Sequence, residues 1–188
     1  MTHSKYNVTR FACLLCILLS AHSFALAALT YPIAPAARDH LTTQEADLVR
    51  EEQTLDRRTA VFIKAVERRF LVLTDPGAAT SKAVQKDLEK WGELPKGTRT
   101  ELLRDIAKIL DEAITNIDDV AEREAKNPLL AKSLRKLSEA STRFLAQLTS
   151  MRAAAQLDEE REAIDQALEN AQAIIAAAQK LPPPAKKK

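Results

Sequence analysis

Chemistry in this chain has to come from carboxylates, guanidiniums and amines, because imidazoles and thiols are scarce. The three histidines are His3, His22 and His40, and the two cysteines are Cys13 and Cys16. Beyond residue 27 only His40 remains. Zinc sites and cysteine–histidine nucleophiles need several such side chains to converge, and di-iron bundles need two Glu-x-x-His motifs, of which there are none. With glycine only at Gly77, Gly92 and Gly97, no Gly-rich phosphate loop can be built. A Ser-His-Asp triad would have to recruit His40 from the edge of a proline-bearing lead.

Four weaker signals remain, each with a plainer rival. His40 and Met151 could ligate a non-covalent haem between facing helices; the rival makes His40 a solvated residue ahead of a helix and Met151 a core filler. Asp158, Glu159, Glu160 and Glu162 could collect a divalent cation. Consecutive helical residues diverge, however, and acids at a helix start suit the helix dipole. Trp91, the single tryptophan, either caps a ligand pocket or plugs one end of a bundle. Finally, Glu45, Asp47, Glu51 and Glu52 precede Arg57, Arg58, Lys64, Arg68 and Arg69, which polarises one predicted helix from end to end. Glu45 and Glu52 extend its apolar stripe, and an ion pair from them to Arg161 is expected as a registry device. In each case the structural reading outweighs the chemical one. No catalytic residue, metal or cofactor is expected.

The elements that would carry these groups are helices. Three glycines, few aromatics and abundant Ala, Leu, Glu, Lys and Arg favour helix throughout. Thr42-x-x-Glu45 is a capping box opening a helix to about Leu73, with Leu48, Leu55, Phe62, Val66 and Leu73 on one stripe and Ile63 and Phe70 beside it. Asp75-Pro76-Gly77 stops it. A short helix from Thr80 or Ser81 to Trp91 is closed by Gly92, and a linker over 93–97 leads to a second capping box, Thr98-x-x-Glu101. That third helix carries Leu103, Ile106, Leu110, Ala113, Ile117 and Val120 in line.

From Asn127, an N-cap followed by Pro128 at the first helical position, runs the longest helical stretch, to Leu181. Its stripe is Leu130, Leu134, Leu137, Ser141, Phe144, Leu148, Met151 and Ala155. Beyond that the apolar residues shift by one, to Leu157, Ile164, Leu168, Ala171, Ile175 and Ala178. A one-residue shift turns the face by about 100°, whereas drift between helical periods gives only about 20° per seven residues. Either the helix breaks near Gln156 to Asp158 with Asp158 as N-cap, or it continues and its far half meets other partners. The absence of glycine or proline favours continuity.

Residues 1–27 read as a secretory signal peptide: Lys5 and Arg10 precede an apolar run, and Phe24-Ala-Leu-Ala27 offers small residues for cleavage. Cys13 and Cys16 lie too early to be acylated and leave with it. Of 28 Lys and Arg, two fall in this segment, leaving 26 against 26 Asp and Glu. A neutral remainder gives no electrostatic case for nucleic acid.

The reading is an all-α antiparallel bundle over 42–181 of three long helices and one short one, after a flexible lead over 28–41 and before a disordered tail over 182–188. The expected function is non-catalytic: an exported protein, periplasmic or extracellular, acting by protein–protein contact or homo-oligomerisation. The stripe with Leu157, Ile164, Leu168 and Ile175 is the expected contact surface. Lys186, Lys187 and Lys188 could add weak contact with anionic polymers or lipids. A carrier holding an apolar ligand against Phe62, Phe70, Phe144 and Trp91 is the alternative.

Overall fold

Two threonines start two of the helices as their sequence demands. Thr42 Oγ1 accepts from Glu45 N while Glu45 Oε2 accepts from Thr42 N, and Thr98 and Glu101 repeat the arrangement. The computed structural model describes residues 39–75 and 77–183, the side chains of residues 79 and 83 excepted. The signal over 1–27, most of the lead, and Lys186, Lys187 and Lys188 lie outside the described residues.

Within them the helices are α1 (Thr43–Glu51), α2 (Leu55–Thr74), α3 (Lys82–Trp91), α4 (Arg99–Arg123), α5 (Leu129–Ala154) and α6 (Asp158–Gln179), with a 3₁₀ turn at Ala78–Thr80 before α3. The described chain is all-α and contains no strand.

Two expected helices are each cut in two. The first breaks at Glu52–Thr54, and α1 folds back along α2. No glycine or proline forces this; the carbonyl of Glu52 is taken by Nε and Nη2 of Arg58, at 3.3 and 3.2 Å, and the reversal lets Leu48 pack on Val61 and Trp91. The second breaks at Ala155–Leu157, both extended, so the expectation of continuity is corrected. Asp158 is the first helical residue and not the cap, which is Leu157 without a side-chain bond. Reversal is what lets both apolar phases face one core. At the start of α5 the assigned cap is Pro128, yet Asn127 Oδ1 still accepts from Leu129 N at 2.9 Å.

Four helices form the bundle, and contacts along their lengths fix the directions. Arg69 faces Asp105 and Arg58 faces Asn116, so α2 and α4 are antiparallel. Arg152 with Asp165, and Arg135 with the carbonyl of Pro182, make α5 and α6 antiparallel. Lys132 with Asp56 and Arg143 with Glu67 make α2 and α5 parallel; Arg99 with Glu160 and Asn170 with Ala107 do the same for α4 and α6. Consecutive long helices therefore alternate in direction, as short connections require, while two of the four closest pairs run parallel.

Phe62, Phe70, Leu103, Ile106, Leu110, Leu137, Phe144, Leu148, Ile164 and Ile174 fill the core. Alanines 163, 167 and 171 face inward from α6. Their small side chains allow a close approach, and Asn170 Nδ2 donates to the carbonyl of Ala107 at 2.9 Å. Among the described residues no helix is long and apolar enough to cross a membrane.

Candidate functional site

The fold-back of α1 carries Glu45 onto the two arginines that end the basic half of α2. Glu45 is fully buried, and Arg69 is 1% exposed. Arg69 Nη1 lies 2.7 Å from the Glu45 carboxylate and also donates to the carbonyl of Ala65 at 2.8 Å, while Nη2 donates to the carbonyl of His40 at 2.6 Å. Arg68 Nε is 3.0 Å from Glu45 Oε1, close as an ion pair but off hydrogen-bond geometry. Burial pushes the Arg68 guanidinium below its ordinary value, and the Glu45 charge pulls it back. Asp105 on α4 completes the group, 3.8 Å from Arg69. Two acids and two bases balance, so buried charge is matched. The expected partner Arg161 is elsewhere: it pairs with Asp158 at 2.7 Å and donates Nε to the carbonyl of Ala155 at 3.2 Å. A straight first helix could not have shown Glu45 to Arg69.

This network positions a surface feature. Arg68 Nη2 donates to the carbonyls of Gly92 and Glu93 and so fixes the turn after α3. Gly92 holds φ 64° and ψ −169°, a region open in practice to glycine alone. Lys64 pairs with Asp87 at 2.7 Å and pins α3 to α2. Between the end of α2, the inner face of α3 and the turn lies an apolar groove of about 340 Å³. Val72, Val84, Leu88, Leu94 and Pro95 line it, with Asp75, Glu93 and Lys96 at its rim. Its volume falls at the lower end of the roughly 300–1,000 Å³ of ligand clefts. Lys96 Nζ donates to Glu93 Oε2 at 2.6 Å, and Asp75 Oδ1 accepts from Gly77 N at 2.9 Å. Nothing in this lining is a nucleophile beside a base; the arrangement can take an aliphatic group and place a charge beside it. In sequence 93–97 is a linker, and the signals of the groove are the pair Leu94-Pro95 and the i, i+4 pair Val84 and Leu88.

The residues singled out from the sequence are dispersed. Ile164 is buried in the bundle core; Leu168 and Ile175 are half-buried, Leu168 against that core; Leu157 stands out at the α5–α6 turn, 63% exposed. Most of that stripe is therefore spent on α4 and α5 of the same chain, and Ile164 presents nothing to a partner. His40 is not a free solvated residue: its Nε2 is 2.6 Å from Glu112 Oε2 near the middle of α4. Met151 packs in the core near the end of α5, so the two are not brought together. Glu160 takes Arg99, and Glu159 takes Arg104 at 3.4 Å. Among the described residues no group of three His, Cys, Asp or Glu side chains is gathered around a common point. Trp91 closes a small cluster with Leu48 and Val61, with Arg68 5.9 Å above its ring. Phe70 and Phe144 fill their space with each other, ring centroids 5.4 Å apart.

Comparison with known proteins yields no matching family model, no similar curated protein and no similar solved structure.

Proposed function

We propose that this chain is an exported, non-catalytic helical protein of the cell envelope or the extracellular space, and that it works by protein–protein contact at the end of the bundle where α2 stops and α4 starts. The observation that carries this reading is the apolar groove, walled by Val84, Leu88, Leu94 and Pro95, whose turn is bonded by the buried Arg68. Its occupant is a protein surface that presents one aliphatic side chain with a carboxylate beside it. The aliphatic group meets the groove; the carboxylate meets Lys96, which is 84% exposed and exchanges Glu93 for it, at a rim that also carries Asp75. Export rests on the charged, apolar and small-residue order of residues 1–27.

Native mass spectrometry of the protein recovered from its host's envelope and medium tests this, wild type against Leu88→Asp. Leu88 is only half-buried, so the variant keeps its fold. The expected result is a protein complex in the wild type that the variant loses. A monomer carrying a defined small-molecule mass, lost in the variant, would make the groove a carrier site and sink the protein-contact reading.

A further inference from the structure

The groove and the one exposed large apolar side chain among the described residues lie at the same end of the bundle. Leu157 sits in the α5–α6 turn, and the first turn of α6 touches the first turn of α4 through Arg99 and Glu160. The groove wall, Leu94 to Lys96, leads directly into that same turn of α4. One end of the bundle thus carries a knob and a hole. A surface with both can close on its own copy by a two-fold axis, each knob entering the other's hole, which satisfies both at once.

The charges suit this closure. Beside the hole stand Lys96 and Glu93, 84% and 78% exposed, with Asp75; beside the knob stand Asp158 and Arg161, 97% and 37% exposed. The knob brings one cation and one anion, the hole one cation and two anions, since Asp75 also stands at its rim; Lys96 is paired with Glu93, Arg161 with Asp158, and Asp75 accepts from Gly77 N. On closure Lys96 can take Asp158 of the second copy while Arg161 takes Glu93, and Asp75, exposed at the rim, keeps its hydrogen bond from Gly77 N. Gln156, Ala153 and Ala154, all exposed, surround the knob without adding charge.

We propose that the occupant of the groove is Leu157 of a second copy of this chain, in a two-fold symmetric dimer with two identical knob-in-hole contacts. This rests on the groove being a protein-contact site. Loss of one buried leucine contact raises the dimer dissociation constant about tenfold or more, and each single-site variant loses both contacts.

The test is native mass spectrometry of the full chain, wild type, Leu157→Asp and Leu88→Asp, the two variants differing by an isotopic label. The wild type is expected to dimerise, and each variant alone to be monomeric. Mixed together, the variants should form a heterodimer, because one of its two contacts then joins a wild-type knob to a wild-type hole. A dimer that survives Leu157→Asp, or variants that fail to complement, overturns the second-copy assignment. If Leu157→Asp changes nothing while Leu88→Asp removes a different protein, the second copy is wrong and the contact function stands. If Leu88→Asp removes only a small-molecule adduct, both fall.

Discussion

Glu45 shows how much one side chain can be asked to do in this fold. It closes a capping box, neutralises Arg69 and lies against Arg68, all at zero exposure. Glu45→Leu leaves two guanidiniums buried with Asp105 as their acid, and removing one partner of a buried pair costs about 3–5 kcal/mol. Urea denaturation should show that loss; a change under about 1 kcal/mol would mean that the arginines find water. Ser141 gives the opposite case, a buried hydroxyl on α5 with no hydrogen-bond partner among the described residues. Ser141→Ala is expected to stabilise by about 1 kcal/mol, since an unmatched buried polar group is a cost and not a bond. The capping boxes were legible because each is written within four residues. The partner of Glu45 was not, because the pairing crosses a chain reversal that no glycine or proline announces.

At the scale of elements, the shift in apolar phase after Ala155 was the informative signal, and the missing breaker was the misleading one. A helix need not contain a breaker to end; two apolar faces that cannot share one core are reason enough, and Leu157 ends as an uncapped extended residue. Ile164 and Leu157 then have opposite fates. Ile164→Ala is expected to cost about 2–5 kcal/mol, and Leu157→Asp about 0.5 kcal/mol or less in the monomer; thermal unfolding of the two variants at low concentration separates them. Ion pairs also tie these elements. The hydrogen bond from Arg152 holds the Asp165 carboxyl below its usual range, and the one from Lys132 does the same for Asp56. A lowered folded value means that each carboxylate stabilises the fold above its unfolded value near 4, and that this contribution is lost as pH falls through the lower folded one. Stability is expected to drop on acidification below about pH 4. Arg152→Ala removes the share of Asp165, so its urea midpoint should fall less steeply over that range.

At the scale of the whole molecule, alternating helix directions followed from short connections, but the order around the bundle did not. Which helices lie side by side rests on the shared core and is seen in long-range contacts such as Arg143 with Glu67 and Asn170 with Ala107, whose partners are 76 and 63 residues apart. The groove was hidden for the same reason: its walls come from α2, α3 and the 93–96 turn, and only the fold brings them together. That arrangement sets one further expectation. Whatever binds the folded chain and not the unfolded one raises its melting temperature by mass action. If the end face closes on a second copy, the melting temperature of the wild type should rise with protein concentration, whereas Leu157→Asp should melt at one temperature throughout. At the lowest concentrations the two should coincide, because Leu157 is 63% exposed and holds little of the monomer together. A gap that persists on dilution would place Leu157 in the monomer's own stability and remove it from the interface.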